Sequence, residues 1–247
     1  MIETVFIQCE DDGEFPNVAL FNAAKGFEFI GREVLRMTPD EIGGRTPRAE
    51  DLVFGGVEVV RPYLAKLGCE PEPLDYPSKL RQFLGRHFET ERLGIIRKRY
   101  NEPGSPVFIK PVEHKLFAGH VVRRFGDLLR TQSLPPETLV YCVEHVEFRS
   151  EWRYYCDGFQ VIGVDHYKGD PLLAPNPDVV DAAASAFAEY DDGAATYSLD
   201  FGVTANSETR LVEVNDMITL GCYGLEAPVY ARLIEKRWLQ LVEHLLQ

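Results

Sequence analysis

The stretch that most constrains the fold of this chain is YSLDFGVTANSETRLVEVND (197–216), two β-branched, alternating runs around a polar centre. Asn206-Ser207 lies midway, and a two-residue loop there sets Asp200 across from Glu213 and Ser198 across from Asn215. Side chains alternate along a strand, so Glu213 and Asn215 share a face, as do Ser198 and Asp200. Opposed Cβ atoms in such a pair lie ~5 Å apart, and like charges at that distance destabilise it. A divalent cation removes the penalty, and oxygen ligation by two carboxylates and an amide suits Mg²⁺. The alternative is a carboxylate turned to solvent or to an arginine such as Arg210.

A second hairpin is expected in EWRYYCDGFQVIGVDHY (151–167), where Asp157-Gly158 reads as a type I′ turn. In an unbulged register Arg153 shares a face with Glu151, His166 and Lys168. On that face Arg153 can form a structural salt bridge with Glu151.

The remaining pattern is α+β. In the first 75 residues a strand at 4–10, a helix from Pro16 stopped by Gly26, a strand in FEFIGREVLRM and a short one in DLVFGG precede a helix in VEVVRPYLAKLG. The proline-rich run CEPEPLDYP follows as a linker. Beyond it come a helix in SKLRQFLGRHF with Ser78 as N-cap, short strands at PVFIKP, HVVRRF and LVYCVEHVEF, a helix after Asn176-Pro177, and a C-terminal helix with Ile234, Trp238, Leu241 and Leu245 on one stripe. The division expected is a small α/β unit over 1–75 and a larger α+β unit over 76–247.

Composition excludes several functions. Lys and Arg number 26 against 39 Asp and Glu, a net charge of −13 that repels nucleic acid and anionic membranes. The basic stretch from Lys79 to Arg99 runs against this trend, either as a solvated helix face or as a positive wall for a phosphate-bearing ligand. No run approaches the ~20 apolar residues of a membrane span, and the opening MIETVFIQCEDDGEF is charged where a signal peptide is apolar. Five scattered cysteines without C-x-x-C fit reduced thiols in a cytoplasm. The chain has neither a P-loop nor a G-x-G-x-x-G or G-x-S-x-G motif, and its histidines and cysteines lack zinc spacing.

In order and spacing, Ile109-Lys110-Pro111, Val140 to Glu144, Asp200 and Glu213-Val214-Asn215 resemble the ATP-grasp superfamily. With Gly221-Cys222-Tyr223-Gly224 downstream, the pattern is similar to small bacterial and phage members in which a phosphate-contacting arginine is replaced by lysine. The resemblance covers 77–247 and implies two α+β lobes clasping a nucleotide, preceded by an α/β subdomain. It implies that Lys110 reaches the α- and β-phosphates, that 112–119 with Lys115 and Gly119 forms a flap, and that backbone groups of Cys142, Val143 and Glu144 read adenine. Glu144 and Glu147 compete for the ribose, Lys168 stands for the replaced arginine, and Arg153 belongs to a similar E-W-R motif. The resemblance implies that both cations neutralise phosphate charge, a role that for Arg153 stands level with the salt bridge to Glu151. Lys79 matches an earlier phosphate-binding lysine, with Arg86 as its competitor, and Asp200, Glu213 and Asn215 would hold Mg²⁺.

The activity implied is an ATP- and Mg²⁺-dependent ligase that joins a small-molecule or peptide carboxylate to an amine or thiol through an acylphosphate. A phosphotransferase and a nucleotide-binding regulatory module are the alternatives. Neither substrate is readable, and the assembly state is left open, a homodimer included.

Overall fold

A computed structural model describes residues 2, 4–100, 105–113, 116–189 and 193–246. The first sheet is parallel, in the order β2-β1-β3, from β1 (Thr4–Gln8), β2 (Glu33–Met37) and β3 (Asp51–Phe54). Val5, Phe6 and Ile7 are all buried, as a strand covered on both faces requires. Helices α1 (Val18–Phe29), α2 (Pro39–Gly44) and α3 (Val57–Lys66) connect and cover it. Because β1 is central and the chain moves first to one side of it and then to the other, a crevice opens at the carboxyl ends of β1 and β3.

The expected boundary between α1 and β2 moves. The helix runs through Gly26 to Phe29, is capped at Ile30 and turns at Gly31, where φ is +83°, so Phe27–Phe29 is helical and only Glu33–Met37 is strand. Gly26 is a packing residue: a Cβ there would lie 2.0 Å from the Ala227 carbonyl oxygen, at the start of the C-terminal helix α6 (Ala227–Val242). That helix, with the Met217–Cys222 segment, completes the core of the parallel layer, and the Trp238 indole donates to the Ala49 carbonyl at 2.9 Å.

The second sheet is antiparallel, β4-β7-β5-β6, from β4 (Phe88–Arg92), β5 (Val107–Pro111), β6 (His120–Val122) and β7 (Leu139–Glu144). The basic stretch is divided around it. Ser78–Leu84 is a 3₁₀ turn without a side-chain cap, so Ser78 is not the N-cap expected, and Leu93–Arg99 is the helix α4. Three of its cations serve the fold: Arg99 pairs with Glu89 at 2.6 Å, Arg97 donates to the Thr131 and Leu134 carbonyls, and Arg81 lies over the Phe88 ring.

The third sheet, β11-β10-β8-β9, consists of β8 (Phe148–Asp157), β9 (Gln160–Gly169), β10 (Thr196–Thr204) and β11 (Thr209–Asp216), with α5 (Pro177–Ala188) packed against it through Ala183, Ala184 and Phe187. A parallel layer followed by two antiparallel sheets makes the fold α+β.

Both hairpins reach their registers by routes other than those expected. In β10–β11 the loop is Ala205–Ser207, with Ser207 at φ +61°, and one extra residue, Val212, bulges from β11. Loop and bulge compensate, so Asp200 faces Glu213 and Ser198 faces Asn215 after all. In β8–β9 the turn is Gly158-Phe159, one residue later than expected, and two bulges follow. Lys168 faces Glu151 and stays on the Arg153 face, whereas His166 faces Trp152 and leaves it.

Candidate active site

The second and third sheets face each other across a cleft, joined by the 145–147 connector. The cleft encloses about 480 Å³, within the range of ligand pockets. Phe108 and Val121 line it from the second sheet. Glu151, Arg153, Lys168, Asp200 and Glu213 line it from the third, and Arg86, His145, Val146 and Phe148 close its side.

Each carboxylate of the Asp200/Glu213 pair holds a cation. Asp200, 2% exposed, accepts from Arg153 Nε at 2.9 Å and Nη2 at 2.7 Å, a bidentate pair. Glu213 accepts from Lys110 Nζ at 2.8 Å. Asn215 Nδ2 lies 3.4 Å from Asp200 Oδ2, so the three oxygen-bearing side chains converge as the register requires. The alternatives weighed from the sequence resolve differently: Arg210 pairs with Glu208, and Arg153 pairs with Asp200 while Glu151 holds Lys168.

The electrostatics follow from burial and pairing. Burial pushes the Asp200 carboxyl above its ordinary range against the pull of Arg153. Burial also pulls at Arg153, but the Asp200 pairing more than reverses it and raises the guanidinium pKa. Burial opposes the charge on Lys110, and Glu213 and Asp75 together reverse that too. Glu213 is held below its ordinary value by Lys110, against the upward push of burial.

Arg153 is further fixed by the Gly221 carbonyl, which accepts from Nη1 at 3.0 Å, and by the Tyr223 ring, 5.1 Å from the guanidinium carbon. Gly224 N–H donates to Asp165 at 2.7 Å and Tyr223 N–H donates to the Tyr155 hydroxyl, so the 221–224 loop is tied to β8 and β9 behind Arg153.

The other expected site residues are unevenly placed. Lys110 shares the cleft-facing side of β5 with Phe108, but its ammonium sits behind Glu213, between that carboxylate and Asp75 at 2.5 Å. Lys168 Nζ donates to Glu151, whose other oxygen accepts from the Tyr167 hydroxyl at 3.0 Å. Lys79 lies outside the cleft lining, and its ammonium donates to the Glu189 carbonyl beyond α5. Arg86 lines the cleft, donates through Nη2 to the Leu211 and Val212 carbonyls, and leaves its buried Nε without a partner among the described residues. Lys115 lies outside the described residues, and a Cβ at Gly119 would meet the Phe108 ring at 2.5 Å.

Adenine reading by the backbone of Cys142 and Val143 needs correction. β7 is an interior strand, so these residues pair with β4 on one side and β5 on the other and their backbone groups are spent in the ladder. Glu144 N–H donates to the His87 carbonyl, and the Glu144 carboxylate accepts from His87 N–H. The backbone that borders the cleft begins at His145 and Val146, while Glu147 is exposed beside it.

Asp75 was not expected at the site. It is 5% exposed, takes φ +24°, and its carbonyl accepts from Val214 N–H at 2.9 Å, which clips the linker onto β11. The only sequence signal is a charge between Leu74 and Tyr76 in a proline-rich run. Among the described residues no three or more His, Cys, Asp or Glu side chains form a metal cluster. Two carboxylates and an amide still fit Mg²⁺, which takes one or two protein carboxylates and completes its shell with phosphates and water.

Two facing sheets with this arrangement across their cleft define the ATP-grasp fold, and solved structures agree at low identity. The RimK domain ATP-grasp protein from Sphaerobacter thermophilus DSM 20745 matches with a TM-score of 0.57 and 17% identity over 95% of this chain and 99% of its own. D-cycloserine synthetase DcsG matches with 0.58 and 12% over 95% and 99%. D-alanine–D-alanine ligase from Bacillus anthracis matches with 0.56 and 10% over 99% of both. A family model described as an ATP-grasp domain, family 2 of its clade, matches residues 83–233, more than half of the chain, which therefore belongs to that ATP-grasp family. No curated protein matches the chain significantly. No helix among the described residues is long and apolar enough to cross a membrane.

Proposed function

We propose that the protein is an ATP- and Mg²⁺-dependent ligase that joins a carboxylate to an amine or thiol through an acylphosphate, with residues 1–75 as the subdomain preceding the ATP-grasp unit. The observation that carries this reading is the convergence of Arg153, Lys168, Asp200 and Glu213 on one cleft between two sheets, with Lys110 bound to Glu213 and Asn215 to Asp200 just behind the lining. Several structural neighbours are ligases or synthetases by name.

Asp200, Glu213 and Asn215 would hold the Mg²⁺, which supplies charge neutralisation on the phosphates. Lys110, one bond from Glu213, is placed to exchange that carboxylate for a phosphate oxygen. Lys168 is the compact, mobile cation at the rim, its side chain 66% exposed. Arg86 brings an unpartnered buried Nε to the cleft and is assigned here the phosphate role that Lys79 held by resemblance. Arg153, fixed on three sides, suits stabilisation of charge on a transferring phosphoryl group. No protein nucleophile is required, and catalysis comes from positioning and charge. All five cysteines are buried and unpaired, which supports reduced thiols and a cytoplasmic setting.

The test is release of ADP and phosphate by the purified chain with ATP and Mg²⁺ against pairs of acids and amines. Release that requires both substrates and yields an amide is expected. A phosphorylated product without ligation would make the protein a phosphotransferase, and tight nucleotide binding without turnover would make it a regulatory module.

A further inference from the structure

We propose that the amine substrate is a free α-amino acid, held at its carboxylate by Arg61 and at its ammonium group by Asp75. The site is a second cavity, of about 270 Å³, that meets the cleft at Arg153. The inference rests on the ligase reading and gives its acceptor a chemical class.

Arg61 projects from α3 into this cavity, anchored by one hydrogen bond from Nη1 to the Pro71 carbonyl at 3.0 Å. Burial pulls its pKa down, and the nearby charges of Asp216 and Asp75 only partly offset this. Asp216 is already engaged by Arg237 at 2.9 Å and 2.7 Å, and Asp75 by Lys110. Lys110, Arg153, Lys168 and Arg237 each hold a carboxylate, whereas Arg61, half-buried, has none among the described residues. A guanidinium so placed is the natural seat of a ligand anion, because taking a charge from water without a partner is costly.

Asp75 supplies the opposite charge to the same cavity. Its carboxylate has one cation, Lys110, and that is the lysine assigned to the nucleotide phosphates. Once Lys110 turns to a phosphate, Asp75 is a buried carboxylate in need of a cation, and the ammonium of an incoming amino acid provides it. The cavity is therefore matched to a zwitterion, and the match is complete only after the nucleotide has bound. Its far wall, Thr219–Gly221, also borders a cavity of about 230 Å³ in the crevice at the ends of β1 and β3, where open α/β sheets take their ligands. That leaves room for a side chain beyond the α-carbon.

The test is calorimetric titration of the full chain with the twenty protein amino acids in both hands, with and without Mg²⁺ and the non-hydrolysable analogue AMPPNP. At least one amino acid is expected to saturate when AMPPNP is present and to bind at least tenfold more weakly without it. Its primary amide, which lacks the carboxylate, should bind on the order of ten- to a hundredfold more weakly, as loss of a charged hydrogen bond implies. Arg61→Gln should lose the preference for acid over amide. Should that variant not fold, the acid–amide comparison on the unaltered chain decides alone. An amide that binds as well as its acid, or no amino acid binding although AMPPNP does, overturns this inference and leaves the ligase reading standing. If AMPPNP itself does not bind, the ligase reading fails and takes the inference with it.

Discussion

Asp200→Asn separates two accounts of the paired carboxylates. From the sequence alone, Asp200 and Glu213 repel each other and neutralising one should leave the apoprotein as stable or more so. In the fold, Asp200 is the counter-ion of Arg153, which is 8% exposed and donates two of its hydrogen bonds to that carboxylate. Removing one partner of a buried ion pair costs about 3–5 kcal/mol. The asparagine oxygen, the Gly221 carbonyl and the Tyr223 ring remain, which favours the lower end. For a chain of this length each kcal/mol lowers Tm by roughly 2–4 °C, so a fall of roughly 6–12 °C is expected. Glu213→Gln is the internal control. Lys110 and Glu213 side chains are 22% and 25% exposed, and Lys110 keeps Asp75, so the loss should be about 1 kcal/mol or less. Thermal and urea unfolding at pH 7, without nucleotide or Mg²⁺, measures both. An Asp200→Asn protein as stable as wild type, or a Glu213→Gln protein less stable than the Asp200→Asn protein, would refute the assignment of the counter-ions.

Lys110→Met should reshape the acid limb of stability. Glu213 has a folded pKa below its ordinary 4.5, so the stability its pairing contributes is present above about that pH and lost as pH falls through the lower folded value. The stability gap between wild type and variant should therefore shrink below about pH 4.5, and a gap constant from pH 7 to 3 would count against the pair. Arg86→Ala should weaken ATP binding by on the order of tenfold or more in calorimetry while Lys79→Ala leaves it within a few-fold, because only Arg86 lines the cleft. Lys168→Ala should change Tm by only a degree or two, since its side chain is 66% exposed, yet weaken ATP binding, with Lys168→Arg retaining much of it. Gly26→Ala should destabilise the chain by roughly 1–3 kcal/mol in urea unfolding, because the new Cβ meets backbone of α6 at 2.0 Å and neither helix can shift alone.

The part of the site that lies within one hairpin was legible because strand alternation and pairing depend only on local order. Asp200, Glu213 and Asn215 came together even though the loop had three residues instead of two, since Val212 bulged to restore the register. Such compensation between loop and bulge has no local signature in the sequence. Where two bulges fell in one hairpin the reading failed for His166 and held for Lys168. The backbone of Cys142 and Val143 is spent in the ladder and the cleft border begins at His145, because an apolar run through Val140–Val143 gives no hint of where an interior strand ends. Asp75 and Arg61 were out of reach altogether, since their place beside Lys110 and Arg153 depends on a linker that clips onto β11 over a hundred residues later.

The ion pairs also bear on how a chain with a net charge of −13 can hold a site for a polyanion. Three of the cations at the cleft are held by carboxylates: Asp200 occupies Arg153, Glu151 occupies Lys168, and Glu213 with Asp75 occupies Lys110 behind the lining. Each buried or half-buried cation is thereby kept charged without the desolvation penalty of an unpaired group. On the ligase reading, Asp200, Glu213 and Asn215 would hold Mg²⁺ while Arg153, Lys110 and Lys168 would hold the phosphates, so that the two ligands match the charges of the pairs they open. Neither exchange would be favourable alone, since metal without phosphate would strand Arg153 and leave Lys110 with Asp75 only, and phosphate without metal would strand Asp200 and Glu213. Nucleotide and Mg²⁺ should therefore bind with strong positive coupling, each tightening the other by the same factor. Calorimetry of ATP with and without Mg²⁺, and of Mg²⁺ with and without ATP, closes that cycle after correction for Mg–ATP association in solution. Independent binding of the two would show that the pairs are structural and stay closed.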